Sequence, residues 1–167
     1  MVRKILPFLL FSILAFSQAD LAQQTKIIKE LIPNATRVGL VYNPSTNIDS
    51  YIQEIVAETG VRVVKAPVTS IREVSQAVRS LDRYDVNFIL LLEERTVTSN
   101  NSIKFVVKQT VKKKIPVFTT AGNALSAGAY GQLVQEGGYW RIKINGKVAG
   151  RFDITVPEGN DKFTIEE

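Results

Sequence analysis

The sequence predicts an α/β fold in which a mostly parallel, doubly wound sheet lies between two layers of helices. β-Branched apolar runs alternate with segments of helical periodicity along most of the chain. The run Phe88–Leu92 is apolar throughout, as expected of a strand covered on both faces. The chain has 167 residues and is 45% hydrophobic, which suits one domain with a sizeable core. We therefore expect a three-layer α/β/α sandwich, a flavodoxin-like lobe formed by residues 20–167.

The predicted elements begin with a short amphipathic lead over 21–31. Gly60 is placed to end the first helix after strand one, and Ser70 with Glu73 has the spacing of a capping box for the second. Ser99 or Asn100 is the expected cap of the third. The strands are predicted at 37–42, 61–67, 85–92, 115–119 and 129–135, and the helices at 45–58, 70–82 and from 100 to the lysine run 112–114.

The C-terminal residues change to a period of two. Apolar side chains alternate on both sides of Asn145-Gly146, a dipeptide typical of type I′ turns. The sequence thus predicts a C-terminal β-hairpin over Tyr139 to Val156. A helix over Tyr139 to Ala149 is the competing interpretation, but Gly146 and the β-branched residues disfavour it. Another strand is expected around 163–165.

The first nineteen residues have the pattern of a secretory signal. Arg3 and Lys4 precede an apolar run over Ile5–Phe16, and Ser17 and Ala19 are small residues at the positions before a cleavage site. A membrane anchor is the alternative, but twelve helical residues span only about 18 Å of a core roughly 30 Å thick. We expect cleavage near Ala19 and a periplasmic or secreted product.

The composition excludes several classes of function. The chain has no Cys and no His, so zinc motifs built on those ligands and Ser-His-Asp catalysis are absent. Residues 20–167 hold 19 basic and 16 acidic side chains, a balance that does not favour nucleic acid as a partner. No glycine-rich phosphate loop follows the first strand. We expect no catalytic residues, no metal, no cofactor and no enzymatic activity.

Three stretches carry a resemblance to a known family. They read ELIPNATRVGLVYNPST, ETGVRVVKAPVTSIREVSQAVRSLDRYDVNFILLLEE and KKKIPVFTTAGNALSAGAYGQL. The chain resembles the ABC-transporter substrate-binding proteins, which are periplasmic-binding proteins of the type I fold. The resemblance implies solute binding, or an accessory role beside a membrane transporter or a sensor component.

The resemblance covers only the second of the family's usual two lobes. A signal segment leading directly into that lobe makes us expect a single-lobe protein. The loops also differ, since Glu93-Glu94-Arg95 and Thr119-Thr120-Ala121 stand where the family has other polar turns. Two lobes normally enclose 70–90% of a small ligand, whereas one lobe offers a single wall.

The candidate ligand site follows from topology, because open α/β sheets bind ligands beyond the carboxyl ends of their strands. Ser45 and Thr46 are expected at a helix N-terminus, which favours a carboxylate or phosphate, unless Ser45 is only a cap. The pair Glu93-Glu94 would repel an anion and Arg95 would attract one, and a solvated loop is the simpler interpretation. The candidate residues are Asn43, Pro44, Ser45, Thr46, Glu93, Glu94, Arg95, Thr119, Thr120 and Asn123.

Two functions remain open at this point. The first is a secreted single-lobe relative of the substrate-binding proteins. The second is a protein-interaction module that has lost solute binding and pairs, with a partner or as a homodimer, through its C-terminal hairpin. Tyr139 and Trp140 either form an exposed aromatic contact there or belong to the core.

Overall fold

A computed structural model describes residues 20–167, so the predicted signal segment lies outside the described residues. The helices are α1 (Leu21–Leu31), α2 (Asp49–Thr59), α3 (Ile71–Leu81), α4 (Asn100–Thr110) and α5 (Gly146–Ala149). The strands are β1 (Arg37–Tyr42), β2 (Arg62–Pro67), β3 (Phe88–Leu91), β4 (Val117–Thr119), β5 (Gly131–Glu136), β6 (Tyr139–Asn145) and β7 (Phe163–Glu166). Short 3-10 turns follow α3 and α4, at Asp82–Tyr84 and Val111–Lys113. Over the described part of the chain, no helix is long and apolar enough to span a bilayer.

The seven strands form one sheet in the order β2-β1-β3-β4-β5-β6-β7. Strands β1 to β5 are parallel, β6 runs antiparallel to β5, and β7 runs parallel to β6. The order reverses between β1 and β3, because β2 lies on one side of β1 and the later strands lie on the other. The predicted fold class is therefore confirmed.

Alternation along the strands divides the core between the two faces of the sheet. In β1, Val38 and Leu40 pack on the face covered by α1 and α2, and Val41 packs on the face covered by α3 and α4. Phe88 and Phe118 are fully buried on the first face, and each such side chain contributes about 1.5–3 kcal/mol through its burial. Because both faces of β1, β3 and β4 are covered, these strands are apolar almost throughout.

The helix ends agree with the sequence in part. Gly60 ends α2 with φ +69°, and the Ser99 hydroxyl accepts from the Ser102 amide at the start of α4, as predicted. The Ser70 side chain makes no cap bond. Instead, the Glu73 carboxylate accepts from the Thr69 amide at 2.7 Å, and this bond lowers the pKa of Glu73.

The predicted hairpin over Tyr139–Val156 is wrong in its position. The C-terminal hairpin consists of β5 and β6, and its turn is Gly137-Gly138, both with positive φ. Asn145 does not begin a turn between strands, because its side chain accepts from the Lys147 amide and caps α5. The strand expected near the end is present as β7, which pairs with β6.

Candidate functional site

The carboxyl ends of β1, β3 and β4 lie side by side. Val41 pairs with Leu91, and Leu91 pairs with Thr119, so the three strands end at the same level. We call this margin, with the loops 43–48, 92–99 and 120–130, the carboxyl edge. The strand order reverses between β1 and β3, which is where ligands of open α/β sheets bind.

The loop after β1 begins with a tight turn rather than a helix. The Asn43 carboxamide oxygen accepts from the Ser45 amide at 3.0 Å, and its carbonyl accepts from the Thr46 amide at 2.9 Å. Helix α2 begins only at Asp49. The expectation that Ser45 and Thr46 stand at a helix N-terminus is therefore wrong, and so is the simpler interpretation of Ser45 as its cap.

The N-terminus of α2 already has an acidic side chain of its own. Asp49 lies in the first helical turn and pairs with Lys65 of β2 at 2.8 Å. This ion pair raises the pKa of Lys65, with the hydrogen bond as the larger cause. An anionic ligand at this helix end would meet the negative charge of Asp49.

The two glutamates after β3 have different environments. The Glu94 carboxylate accepts from the amides of Thr96 and Val97 at 3.0 and 3.3 Å, which folds the loop. Glu93 is exposed, and one of its oxygens accepts from the Thr120 hydroxyl at 2.7 Å. Arg95 is exposed as well. Glu94 therefore has a local structural role, whereas Glu93 and Arg95 present their charges to solvent.

The loop after β4 contacts the loop after β3. Thr119 is fully buried, and its hydroxyl accepts from the Ala121 amide, so this side chain is not accessible to a solute. The Asn123 carboxamide nitrogen lies 3.2 Å from the Thr98 carbonyl and 3.3 Å from the Asn100 carboxamide oxygen. Thr120 and Asn123 thus tie the two loops together at separate points.

Of the ten candidate residues, the structure links Glu93 with Thr120 directly. Asn43 accepts from Ser45 and Thr46 within its own loop, and no hydrogen bond joins residues 43–46 to the other candidates among the described residues. Sequence reasoning missed Thr98 and Asn100 as partners of Asn123. The position of Asn100 at the start of a helix was predictable from the sequence, but its contact across 23 residues was not.

The β5–β6 hairpin extends past the carboxyl edge. Gln132 pairs with Thr119 at the end of β4, and β5 continues for four more residues to Glu136, about 13 Å further. A groove of about 440 Å³ lies between this projection and α1. Tyr139 is 76% exposed there, while Trp140 packs against the core and donates its indole N–H to the Asp20 carboxylate at 3.3 Å. Tyr139 is therefore the exposed aromatic residue of the pair, and Trp140 belongs to the core.

Metal ligation finds no support within residues 20–167. That range brings no three Asp or Glu side chains close enough to hold an ion. The polar side chains of the carboxyl edge carry hydroxyls, three carboxamides, two carboxylates and a guanidinium. Such a set can form hydrogen bonds and ion pairs with a small polar solute.

Comparison with known proteins identifies the class to which this α/β chain belongs. Residues 16–158 match the family model described as ABC transporter substrate binding protein. Because the match covers most of the sequence, the chain belongs to that family. This result confirms the resemblance that the sequence carries.

Individual relatives are more distant. The chain is 27% identical over 156 residues to a tyrosine-binding protein of Clostridioides difficile, a match that covers 85% of this chain and 44% of the relative. A conserved domain protein of Vibrio cholerae has a TM-score of 0.72 at 23% identity, covering 87% of this chain and 60% of that one. A Streptococcus pneumoniae domain in complex with L-Trp has a TM-score of 0.66 at 23% identity, covering 82% and 58%. The chain thus spans well under two thirds of each of these proteins.

Proposed function

We propose that the carboxyl edge is one wall of a binding site for a small zwitterionic solute, an amino acid or a close analogue. Family membership supports the solute-binding role. The observation that carries the proposal is the exposed Glu93 carboxylate, which is held by Thr120 and follows β3, one of the two strands between which the order reverses. A carboxylate fixed by one hydrogen bond retains acceptor sites for a ligand ammonium group.

The charges of the β3 loop match the two ends of an amino acid. Glu93 would accept from the ammonium group, and the exposed guanidinium of Arg95 would bind the carboxylate. The relatives named above include a tyrosine-binding protein and a domain in complex with L-Trp. Aromatic amino acids are accordingly the first ligands to test.

Because the proposed site has only one wall, we expect this domain to bind its ligand weakly on its own. A site that buries about half of its ligand loses roughly half of the apolar contact and half of the hydrogen bonds. Since each 1.4 kcal/mol corresponds to tenfold in affinity, we expect a dissociation constant near the millimolar range. A second domain or protein would supply the opposite wall and bring the affinity to the level of a receptor. We further propose export, cleavage near Ala19 and action beside a membrane transporter or sensor.

The test is a titration followed by amide NMR. L-Tyr, L-Trp and two analogues are added, tyramine lacking the carboxylate and 3-(4-hydroxyphenyl)propionate lacking the amine. We expect shifts confined to 43–46, 93–96 and 119–123, largest for the amino acids. Glu93→Gln should weaken the ligands that carry an amine by about tenfold and leave the propionate unaffected. Glu54→Gln on the exposed face of α2 is the matched control. Shifts elsewhere, or none, would contradict the proposal.

A protein-interaction module is the second candidate, supported by the exposed edge strand β7. β5 pairs with β4 only at Gly131 and Gln132, and β6 pairs with β7 only from Ile142 to Asn145, so the projecting end of the hairpin is paired only within itself. Pairing through this end of the hairpin therefore stays a prediction, as does pairing through β7, one of the two edge strands of the sheet. Ile165 on β7 is 55% exposed beside a groove of about 550 Å³. Light scattering would detect a homodimer that forms without ligand and is lost in Ile165→Lys.

A further inference from the structure

The layer formed by α3 and α4 has a strongly basic outer surface. Residues 71–84 and 100–114 together contain eight Lys or Arg and two Asp or Glu, a net charge of +6. The other described residues contain 11 basic and 14 acidic side chains. The positive charge of residues 20–167 is therefore concentrated on one side of the sheet.

Helical spacing directs these cations outward. Arg72, Arg79 and Arg83 lie opposite the buried Val74 and Val78 of α3. On α4, exposed lysines recur every four residues, opposite the buried Ile103 and Val106. The exposed cations form two stripes on parallel helices, which we call the basic face: Arg72, Arg79, Arg83, Lys104, Lys108 and Lys112.

Neighbouring acids do not neutralise the basic face. Asp82 pairs with Lys113 at 2.8 Å, and Glu73 accepts from Thr69. Lys114 pairs with Asp153. Within the described chain, the six cations of the basic face form no ion pair shorter than 4.0 Å. Their field consequently extends into solvent over about one Debye length, roughly 8 Å at physiological salt.

An exposed aromatic residue adjoins these charges. Tyr84 follows Arg83 directly, is 55% exposed, and lies in the short turn after α3. Tyrosine beside lysine and arginine is typical of surfaces that sit at the headgroup level of a bilayer. A surface for single-stranded nucleic acid would instead present several aromatic side chains between the cations.

We propose that the basic face docks on a membrane surface rich in anionic phospholipids. The cations are single point charges spread over two exposed helices, which suits a plane of headgroups. In this orientation the ends of α3 and α4 nearest Tyr84 lie at the amino end of the strands, so the carboxyl edge stays accessible to a solute. Each cation near an anionic membrane contributes about fivefold to binding.

The test is sedimentation of the purified chain with vesicles of phosphatidylcholine, alone or mixed with phosphatidylglycerol. Binding to phosphatidylcholine alone reports any contribution of residues 1–19. We expect phosphatidylglycerol to increase binding at low salt, and high salt to abolish the increase because it screens the charges. Absence of that increase would overturn the proposal, as would tighter binding to duplex DNA than to the anionic vesicles.

Two double variants of equal net charge distinguish the effect of the basic face on vesicle binding from the effect of total charge. Lys108→Glu with Lys112→Glu should lower binding to the anionic vesicles by at least about tenfold. Lys147→Glu with Arg151→Glu makes the same change on exposed residues of the α5 region, across the sheet, and should retain most of the binding. Equal losses in the two variants would refute a role for the basic face. If the charge reversals disturb α4, the double variant Lys108→Gln with Lys112→Gln replaces them. Thermal unfolding checks that each variant is folded.

Discussion

The Thr120 hydroxyl donates to the Glu93 carboxylate at 2.7 Å and so joins the loops that follow two neighbouring parallel strands. Glu93 lies two positions after the end of β3, and Thr120 directly follows the end of β4. The bond fixes the orientation of an otherwise exposed charge. This distinguishes Glu93 from Glu94, whose carboxylate is occupied by backbone amides of its own loop.

Thr120→Val should separate the positioning of Glu93 from its charge. The substitution removes the hydroxyl and keeps the shape of the side chain. We expect the affinity for an amino acid to fall several-fold because Glu93 loses its fixed orientation. The free energy of unfolding should change by less than about 1 kcal/mol, since the bond is solvent-exposed. NMR titration and thermal unfolding measure the two effects.

Thr155→Val is the control for that experiment, because Thr155 is exposed and distant in sequence from the carboxyl edge. It should leave both ligand affinity and stability unchanged. An unaltered affinity in Thr120→Val would mean that Glu93 needs no positioning.

Gly131→Ala should destabilise the junction between β4 and β5. A Cβ at this position would lie 2.7 Å from Phe118 Cδ1 and 2.9 Å from Ile142 Cγ2, both in the packed core. Overpacking of a core costs about 1–3 kcal/mol, so the melting temperature should fall by several degrees. Gly122→Ala adds the same methyl where nothing lies within 4 Å and should have little effect. Equal melting temperatures for the two variants would refute the packing argument.

Local patterns predicted most of the parallel half of the molecule. The continuous apolar run around Phe88 predicted a strand that is buried on both faces. Gly60 predicted the end of a helix, because glycine readily adopts the left-handed conformation that it has there. These signals depend on neighbours in sequence. The β-strands of that half were consequently found within a few residues of their observed positions.

The C-terminal region was harder to predict because a long-range contact overrides its local signal. Asn145-Gly146 has the composition of a hairpin turn, yet Asn145 is buried beneath the loop after β4. The actual turn, Gly137-Gly138, lies before Tyr139, where the alternating pattern begins. In the same way, the contact of Asn123 with Asn100 and the bond from Thr120 to Glu93 depend on strand order, which one sequence does not state.

Asn145→Asp should reveal how much the buried carboxamide contributes to stability. The Asn145 carboxamide nitrogen donates to the Leu125 and Ala129 carbonyls at 2.9 and 3.1 Å, and the carboxamide oxygen caps α5. Aspartate keeps the cap and loses both donated bonds. Because Asn145 is only 5% exposed, two carbonyls would then face a buried carboxylate.

We expect Asn145→Asp to lower the free energy of unfolding by at least about 2–3 kcal/mol, as buried polar groups left without partners do. Asn101→Asp on the exposed side of α4 is the control and should change stability little. Chemical denaturation measures both. A small effect at Asn145 would show that the loop after β4 is held by its buried alanines alone.

Tyr130 gives the fold a predictable sensitivity to alkaline pH. Its ring lies edge-on to Phe118 and Phe152, with centroids 5.5 and 5.0 Å away, and its hydroxyl has no hydrogen-bond partner among the described residues. Burial raises the pKa of Tyr130 to about 12 from an ordinary value of 10.0. The folded state therefore holds the phenolic proton more tightly than the unfolded state does.

The sign of the pH effect follows from this difference. Below pH 10 the phenol is neutral in both states, and its contribution to stability is constant. Between pH 10 and about 12 the unfolded chain releases the proton first, so stability declines as the pH rises. Tyr130→Phe removes the titrating group and its unpaired hydroxyl. We expect it to be as stable as the parent or more stable at pH 7, and to lose less stability above pH 10.

Tyr139→Phe is the matched control, because Tyr139 is 76% exposed. Melting temperatures measured from pH 7 to about pH 11 should fall in parallel for Tyr139→Phe and the parent, and less steeply for Tyr130→Phe. If all three curves coincide, the Tyr130 hydroxyl is solvated in the folded protein. A large loss of stability in Tyr130→Phe at pH 7 would instead mean that this hydroxyl has a hydrogen-bond partner, since only a satisfied donor costs stability when it is removed.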